Sequence, residues 1–416
     1  MSGQRRGTRR RTRRPRGSAV EAIDKKMIMT TKNRPRIFRS SVAAMFLLSS
    51  AISVFSAAEA RDIVRVGLIV KVDSFNLAGD DYKLYEMQNP VGARFRKGDD
   101  YFVTAVRGRV VIDGKSYSSP LRITPASSDG FVRVNGKNYR DSVIVSAAGS
   151  RLTVVNELGI DNYVRGVLAA EMSHDWPLEA LKAQAVAARG FVWRNSGRHA
   201  KDGFDMCPTV HCQVYIGAAG EHSSTDKAVV ETAGEILADD KGEPANTVFH
   251  ASCGGYTEEP SNVWDVSSSP ITYLIAKKCP HCGWYRHFKW SSVIDEAYIR
   301  TRLNAAGYKV GKIRSLEVVS RNVSGRARFI KVIHSGGSLV VKAGKFRLAV
   351  DSWKMKSTKL DAIVRGRDSF EFRGQGWGHG VGMCQAGAKG MADSGRNYRD
   401  ILGFYYPGTY IKKVVD

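Results

Sequence analysis

The sequence is short of several things, and each shortage narrows its reading. Acidic residues are scarce beside basic ones, 40 Asp and Glu against 64 Lys and Arg, for a net charge of +24. Only 12 of 416 residues are proline, which excludes collagen-like and proline-rich chains. With 43% hydrophobic and 9% aromatic residues, a disordered chain is also excluded, and one large domain or two ordinary ones fit the length. No internal repeat is visible. Apart from residues 40–58, no hydrophobic run reaches membrane length.

The excess of positive charge is uneven. Residues 1–40 hold fourteen Lys and Arg against two acids, and residues 61–416 keep a net +13. The tail lacks the aromatic interleaving of a nucleic-acid module, so no nucleic-acid partner is expected. A basic body favours polyanions, acidic glycans or anionic membranes. Residues 40–58 are uncharged, follow Lys32, Arg34, Arg36 and Arg39, and lead into Ala58-Glu59-Ala60. This reads as an export signal cleaved after Ala60, with an uncleaved membrane anchor as the rival reading. Six serines make the run weakly apolar for an anchor. Export would place the body outside the cytoplasm, in periplasm or cell envelope, with no membrane contact beyond that segment. Six cysteines then meet oxidising conditions.

The pattern predicts an α+β fold. Residues 1–60 are tail plus export signal. Residues 61–150 are β-rich, with short β-branched runs between Gly, Asp and Ser turns. Residues 151–416 form a core that opens with a helical pair and includes a strand-rich segment at about 291–368. In the first helix Asp161 is the expected N-cap, and Val164, Val167, Leu168 and Glu171 share a face. The second starts at Pro177 and carries Leu178, Leu181, Ala185, Ala188 and Val192 as its stripe. A further helix is expected over 294–306 and a short one near 385–394.

Glu171 is the leading candidate for chemistry. A carboxyl on an apolar face is disfavoured as an anion, so its pKa should rise, and a protonated Glu is what general acid catalysis needs. The bland alternative is a helix-end Glu, exposed by fraying or paired with an Arg such as Arg165 or Arg189. The second candidate is residues 370–383, FEFRGQGWGHGVGM. If extended, period two puts Gly374, Gly376, Gly378, Gly380 and Gly382 on one bare face, and Gln375, Trp377 and His379 on a face suited to a sugar. Third, Cys207, His211 and Cys212 can bind zinc given a fourth ligand, or Cys207 and Cys212 can form a disulfide or stay free thiols. Fourth, Cys279-Pro280-His281-Cys282 suggests a thiol-disulfide oxidoreductase as a rival class, although no helical stripe follows it; a structural disulfide or half a metal site is the other reading. Fifth, His250-Ala251-Ser252-Cys253-Gly254-Gly255 reads as a turn lining a site.

Taken in order, several segments resemble the SpoIID/LytB family. They are residues 154–156, 162–167, Glu171-Met172, residues 176–189, Cys212-Gln213-Val214-Tyr215, residues 250–255 and residues 376–388. The resemblance runs from about 63 to 411. It implies one large unit with a glycan cleft, and a peptidoglycan lytic transglycosylase. That enzyme would cut the MurNAc–GlcNAc β-1,4 bond with 1,6-anhydro-MurNAc as product, on strands stripped of stem peptides by an amidase. The family's catalytic Glu falls on Glu171. Gln213, Tyr215, His250, Ser252, Gln375, Trp377, His379 and Gln385 become substrate-binding candidates. A zinc site of some members matches Cys207, His211 and Cys212; the chemistry itself requires no cofactor. The resemblance also implies an alternative, a non-catalytic amidase enhancer that binds the wall. Two departures are visible: Met172 is followed by Ser173 rather than proline, and Cys384 stands where serine is usual.

Overall fold

From residue 63 onward short β-branched runs favour strands, and the pleat turns every second side chain to a dry face. The computed structural model describes residues 63–92, 95–265 and 271–414; the basic tail and the export run lie outside the described residues. Between residues 63 and 159 it contains two six-stranded antiparallel sheets. The first runs Ile63–Val72, Arg151–Gly159, Ser142–Ala148, Leu121–Pro125, Tyr82–Glu86, Asn89–Val91. The second runs Lys137–Tyr139, Val132–Val134, Ser74–Ala78, Asp100–Val106, Arg109–Ile112, Lys115–Tyr117. Val143, Val145, Leu152 and Val154 point inward from one sheet, and Leu77, Val103 and Val110 from the other, into one shared core.

The same core continues into helices α1 (Ile160–Glu171) and α2 (Leu178–Asn195). Asp161 is not the N-cap of α1. Gly159 takes that position, its N–H satisfied by the Asp141 carboxylate, and Asp161 sits in the first turn facing Arg189. Val164, Val167 and Leu168 are fully buried, as their spacing predicts. Helix α2 is buried on nearly every side from Ala180 to Val192, more than a single stripe, because α1, α3 (Ser223–Glu231) and two C-terminal helices surround it. Its five alanines make that crowding feasible.

A second, separate core lies within residues 290–372. It joins the sheets Lys289–Asp295, Ser369–Gln375, Leu360–Arg365 and Ile313–Arg321, Ala327–His334, Gly337–Lys342 to helices α4 (Glu296–Ala305) and α5 (Ala343–Val350). The helix expected from residue 294 starts at Glu296, since Ile294 still pairs with Phe370 in the sheet. The chain then returns to the first core through α6 (Gln385–Asp393) and α7 (Tyr398–Tyr405). The fold is thus α+β and strand-rich. Among the described residues no helix is long and apolar enough to cross a membrane.

Candidate active site

Glu171 is the last residue of α1, on the face that buries Val164, Val167 and Leu168. Its Oε1 accepts a 3.0 Å hydrogen bond from the Val214 amide. Burial pushes the carboxyl above its ordinary value, and the amide only partly opposes this. Among the described residues no cation forms an ion pair with it: Arg189 is committed to Asp161 at 2.6 Å. The helix-end ion-pair reading therefore does not hold.

The segment that supplies the Val214 amide is anchored on both flanking side chains. Gln213 is buried; its Oε1 accepts from the Tyr163 hydroxyl at 3.0 Å, and its Nε2 donates to the Ala188 carbonyl at 3.4 Å. Tyr215 is also buried. It stacks on Tyr163 and donates to Asn156 Oδ1 at 2.6 Å. Both residues were expected to touch sugar. Their polar atoms are instead spent inside the protein, where they hold the amide on Glu171.

Just upstream, Cys207, His211 and Cys212 are joined by His199, which sequence spacing gave no reason to include. The four ligand atoms all lie within 4.8 Å of one another. His211 Nδ1 is 3.6 Å from each sulfur, and Cys212 Sγ is 3.5 Å from His199 Nε2. Tetrahedral bonds of about 2.0–2.3 Å require ligand atoms roughly 3.3–3.8 Å apart, so this two-sulfur, two-nitrogen set fits one zinc ion. All six cysteines are free thiols in the structure.

The glycine-alternating segment is a strand only as far as Gln375. Beyond it Gly376, Gly378, Gly380 and Gly382 take φ of +74°, +108°, +91° and +70°, so the expected extended strand becomes a chain of left-handed kinks. Close approach, however, is what the glycines permit. A Cβ on Gly376 would lie 2.6 Å from the Ser252 carbonyl, and one on Gly378 would lie 2.8 Å from His250 Cβ. Residues 249–258 pair with this segment through Phe249–His250 on Met383–Cys384, Ser252 on Trp377 and Glu258 on Val381.

The candidates on these two segments divide by exposure. His250, Ser252 and Gln385 are buried, and Gln385 donates to Gln184 on α2 at 3.4 Å. All three side chains lie inside the protein. The His250 Nδ1–H donates to the Val381 carbonyl, and burial pushes its pKa well down. His379 accepts from the Val381 amide at 3.1 Å; burial and the Arg326 charge hold it at about 3, so both imidazoles are neutral. Gln375 is half-buried and donates to Asp361.

Trp377 is partly exposed and belongs to a line of rings. Trp176, in the turn after Glu171, meets Trp284 at 5.8 Å; Tyr285, His287, Trp377 and Trp353 follow at 5.8, 5.6, 4.9 and 5.3 Å. Trp284 and Trp353 are 47% and 67% exposed, so the line is open to solvent at both of them. Lys356 Nζ lies 4.3 Å over Trp377, and Lys389 Nζ lies 4.6 Å over Trp284. Of this line the sequence pattern singles out only Trp377.

Cys279 and Cys282 are 1% and 0% exposed. An exchange catalyst must present a thiolate to another protein's disulfide. The oxidoreductase reading is therefore set aside.

Comparison with known proteins follows these same segments. A Stage II sporulation protein (SpoIID) model matches residues 148–238, which hold α1, α2 and the His199 cluster. A domain of unknown function (DUF8618) matches residues 261–382, which hold most of the ring line. An uncharacterized protein of Brachyspira hyodysenteriae is 37% identical over 288 residues, 68% of this chain and 75% of that one. The Bacillus subtilis amidase enhancer is 30% identical over 378 residues, and the chain spans about half (52%) of its length. Stage II sporulation protein D of Bacillus subtilis is 31% identical over 278 residues, 62% of this chain and 76% of that protein. On the strength of these matches, the chain belongs to the SpoIID family.

Proposed function

We propose that this protein is an exported lytic transglycosylase of peptidoglycan with Glu171 as its one acid and base. The observation that carries this is Glu171 itself. It is a carboxyl with raised pKa, no cationic partner among the described residues and one fixed amide, at a helix end that leads into a line of aromatic rings open to solvent at Trp284 and Trp353. Protonated Glu171 gives its proton to the glycosidic oxygen between MurNAc and GlcNAc as the C1–O bond breaks and positive charge develops at C1. The resulting carboxylate takes the proton of the MurNAc C6 hydroxyl, whose oxygen bonds to C1. The product is 1,6-anhydro-MurNAc. No water is consumed and Glu171 ends protonated, so no second carboxylate is required. Aromatic faces stack on sugar rings, and Lys356 and Lys389 beside them suit the lactyl carboxylates that strands free of stem peptide expose.

We assign a structural zinc ion to His199, Cys207, His211 and Cys212, on the fit of the donor set. Its work is mechanical: it would fix the loop that enters Gln213-Val214 and hence the amide on Glu171.

A second reading has its own support. The amidase enhancer relative and the basic ring line both suit a protein that binds the wall, and works with a cell-wall amidase, without cutting glycan. Digestion of amidase-treated sacculi, followed by mass spectrometry, separates the two. Wild type should release 1,6-anhydro products, and Glu171→Gln should lower the rate by at least about 100-fold while glycan binding persists. Undiminished cleavage by Glu171→Gln sinks the mechanism. A wild-type protein that cuts nothing yet stimulates an amidase establishes the enhancer.

A further inference from the structure

Four cysteines that play no part in the reading above meet at one point. Cys253, Cys279, Cys282 and Cys384 are 0%, 1%, 0% and 0% exposed, and their four sulfurs all lie within 4.8 Å of one another. They come from three distant stretches of chain. Cys253 follows the strand Phe249–His250, Cys279 and Cys282 bracket a 3₁₀ turn over Pro280–Cys282, and Cys384 is the N-cap of α6. We infer that these thiols form a second metal centre, a structural zinc site with four thiolate ligands.

Three observations support it. The first is spacing. Zn–S bonds of about 2.3 Å put tetrahedral sulfurs about 3.8 Å apart, and Cys253 Sγ already lies 3.5 Å from Cys282 Sγ. A four-iron cluster places a whole cube between its thiolates and spreads them wider. The C-x-x-C turn is also the usual two-ligand half of such a site.

The second is the hydrogen bonding of the sulfurs. The Cys253 and Gly387 amides donate to Cys384 Sγ at 3.2 and 3.3 Å, and the Tyr405 hydroxyl lies 3.1 Å from Cys279 Sγ. Donors aimed at sulfur are what a metal-bound thiolate collects; a disulfide sulfur is a poor acceptor.

The third is charge. Four thiolates around a dication leave two negative charges in a buried space. Arg326 is 1% exposed, and its Nε and Nη1 have no hydrogen-bond partner among the described residues. Its Nη2 donates to the Cys253 carbonyl at 3.0 Å, and Lys359 Nζ donates to the neighbouring Gly254 carbonyl at 2.6 Å. A buried guanidinium left this poorly paired is costly, and an anionic centre beside it removes that cost.

The centre would act as a clamp. Ser252, next to Cys253, pairs with Trp377; Trp284 lies two residues past Cys282 and donates its Nε1–H to the Ala386 carbonyl at the start of α6. One ion would therefore fix both ends of the segment that links Trp284 to Trp377. The assignment rests on the thiols and stands whether or not the protein cuts glycan.

The test is metal analysis on the exported chain, purified without chelator, beside Cys207→Ser/Cys212→Ser, which removes the other candidate site. That variant should retain one zinc per chain, with an X-ray absorption shell of sulfur alone. Unfolded wild type, treated with chelator and no reductant, should show all six thiols. If the paired substitution prevents folding, the wild-type thiol count and an absorption shell richer in sulfur than two sulfurs per zinc decide the matter. Absence of metal from the folded variant, a disulfide mapped among the four cysteines, or iron in place of zinc overturns the assignment.

Discussion

The contact that fixes α1 against α2 should be sensitive to one substitution at the opposite end of α1 from Glu171. Arg189 is fully buried in α2. Its Nε and Nη2 donate to Asp161 Oδ1 at 2.8 and 2.6 Å, and its Nη1 donates to the Glu235 carbonyl at 2.8 Å. Asp161→Ala leaves the guanidinium buried with only that carbonyl as partner. Breaking such a pair typically costs about 3–5 kcal/mol. Asp161 is 38% exposed, so water can replace part of what is lost, and the lower end, about 3 kcal/mol, applies. With an unfolding entropy of about 2.1 cal/mol/K per residue, a body of this size should lose roughly 4 °C in Tm.

A double-mutant cycle tests the cause rather than the size. If the penalty comes from a stranded charge, Arg189→Met placed on top of Asp161→Ala should recover stability, because a neutral side chain of similar length needs no counter-ion. The coupling should be at least about 1.5 kcal/mol by urea denaturation. An Asp161→Ala variant that loses less than about 1 kcal/mol, or a double variant no more stable than Asp161→Ala alone, would refute the claim that this pair holds the helices together.

Three further outcomes are expected. Under the proposed mechanism cleavage should fall as pH rises through the raised pKa of Glu171, because the protonated carboxyl is the proposed acid. Since the folded state holds that proton at pH values where the unfolded chain has lost it, stability should also fall between the ordinary Glu value near 4.5 and the raised one, and Glu171→Gln should flatten that slope in pH-dependent melts. Gly382→Ala, at φ +70° with its new Cβ driven into the Val248 carbonyl, should cost at least about 2 kcal/mol in denaturant unfolding and detach the 376–384 segment; a neutral result would mean the kinks are not required. Cys207→Ser/Cys212→Ser should lower Tm and cleavage rate without altering the 1,6-anhydro product, and unchanged melting with full activity would show that the loop positions nothing.

How much of this was legible from sequence differs with the kind of information each feature needs. The placement of Glu171 was legible because its evidence is local: four positions at helical spacing put it on the face of Val164, Val167 and Leu168, and α1 keeps that face buried. The bare glycines of residues 374–382 were legible as a place of close approach, yet their conformation was not. Period two fits an extended strand and an alternation of left-handed kinks equally well, and only the carbonyls of Val248 and Ser252 decide between them. Gln213, Tyr215 and Gln385 were legible as important but not as internal, because a polar residue that holds a site together and one that faces a ligand leave the same trace in a sequence.

What sequence hid most completely is convergence. His199 joins Cys207, His211 and Cys212 only because the chain turns back after α2. Cys253 and Cys384 stand 131 residues apart and meet because Phe249–His250 and Met383–Cys384 pair in parallel, a bridge that the glycines between them make narrow enough. The ring line has the same origin. Trp176 precedes α2, Trp284 follows the Cys279–Cys282 turn, and Trp353 follows α5, so no window of sequence contains the surface they share. Glu171 thus sits on helices of the first core, while the rings that would present a sugar to it run to the loop after α5, whose helix belongs to the second. The proposed acid and the near end of the ring line, Trp176, thus share the first core, while Trp353 at its far end follows a helix of the second; of the two cysteine clusters, one lies beside the segment whose amide binds Glu171, the other where Ser252 pairs with Trp377 and Trp284 bonds to the start of α6.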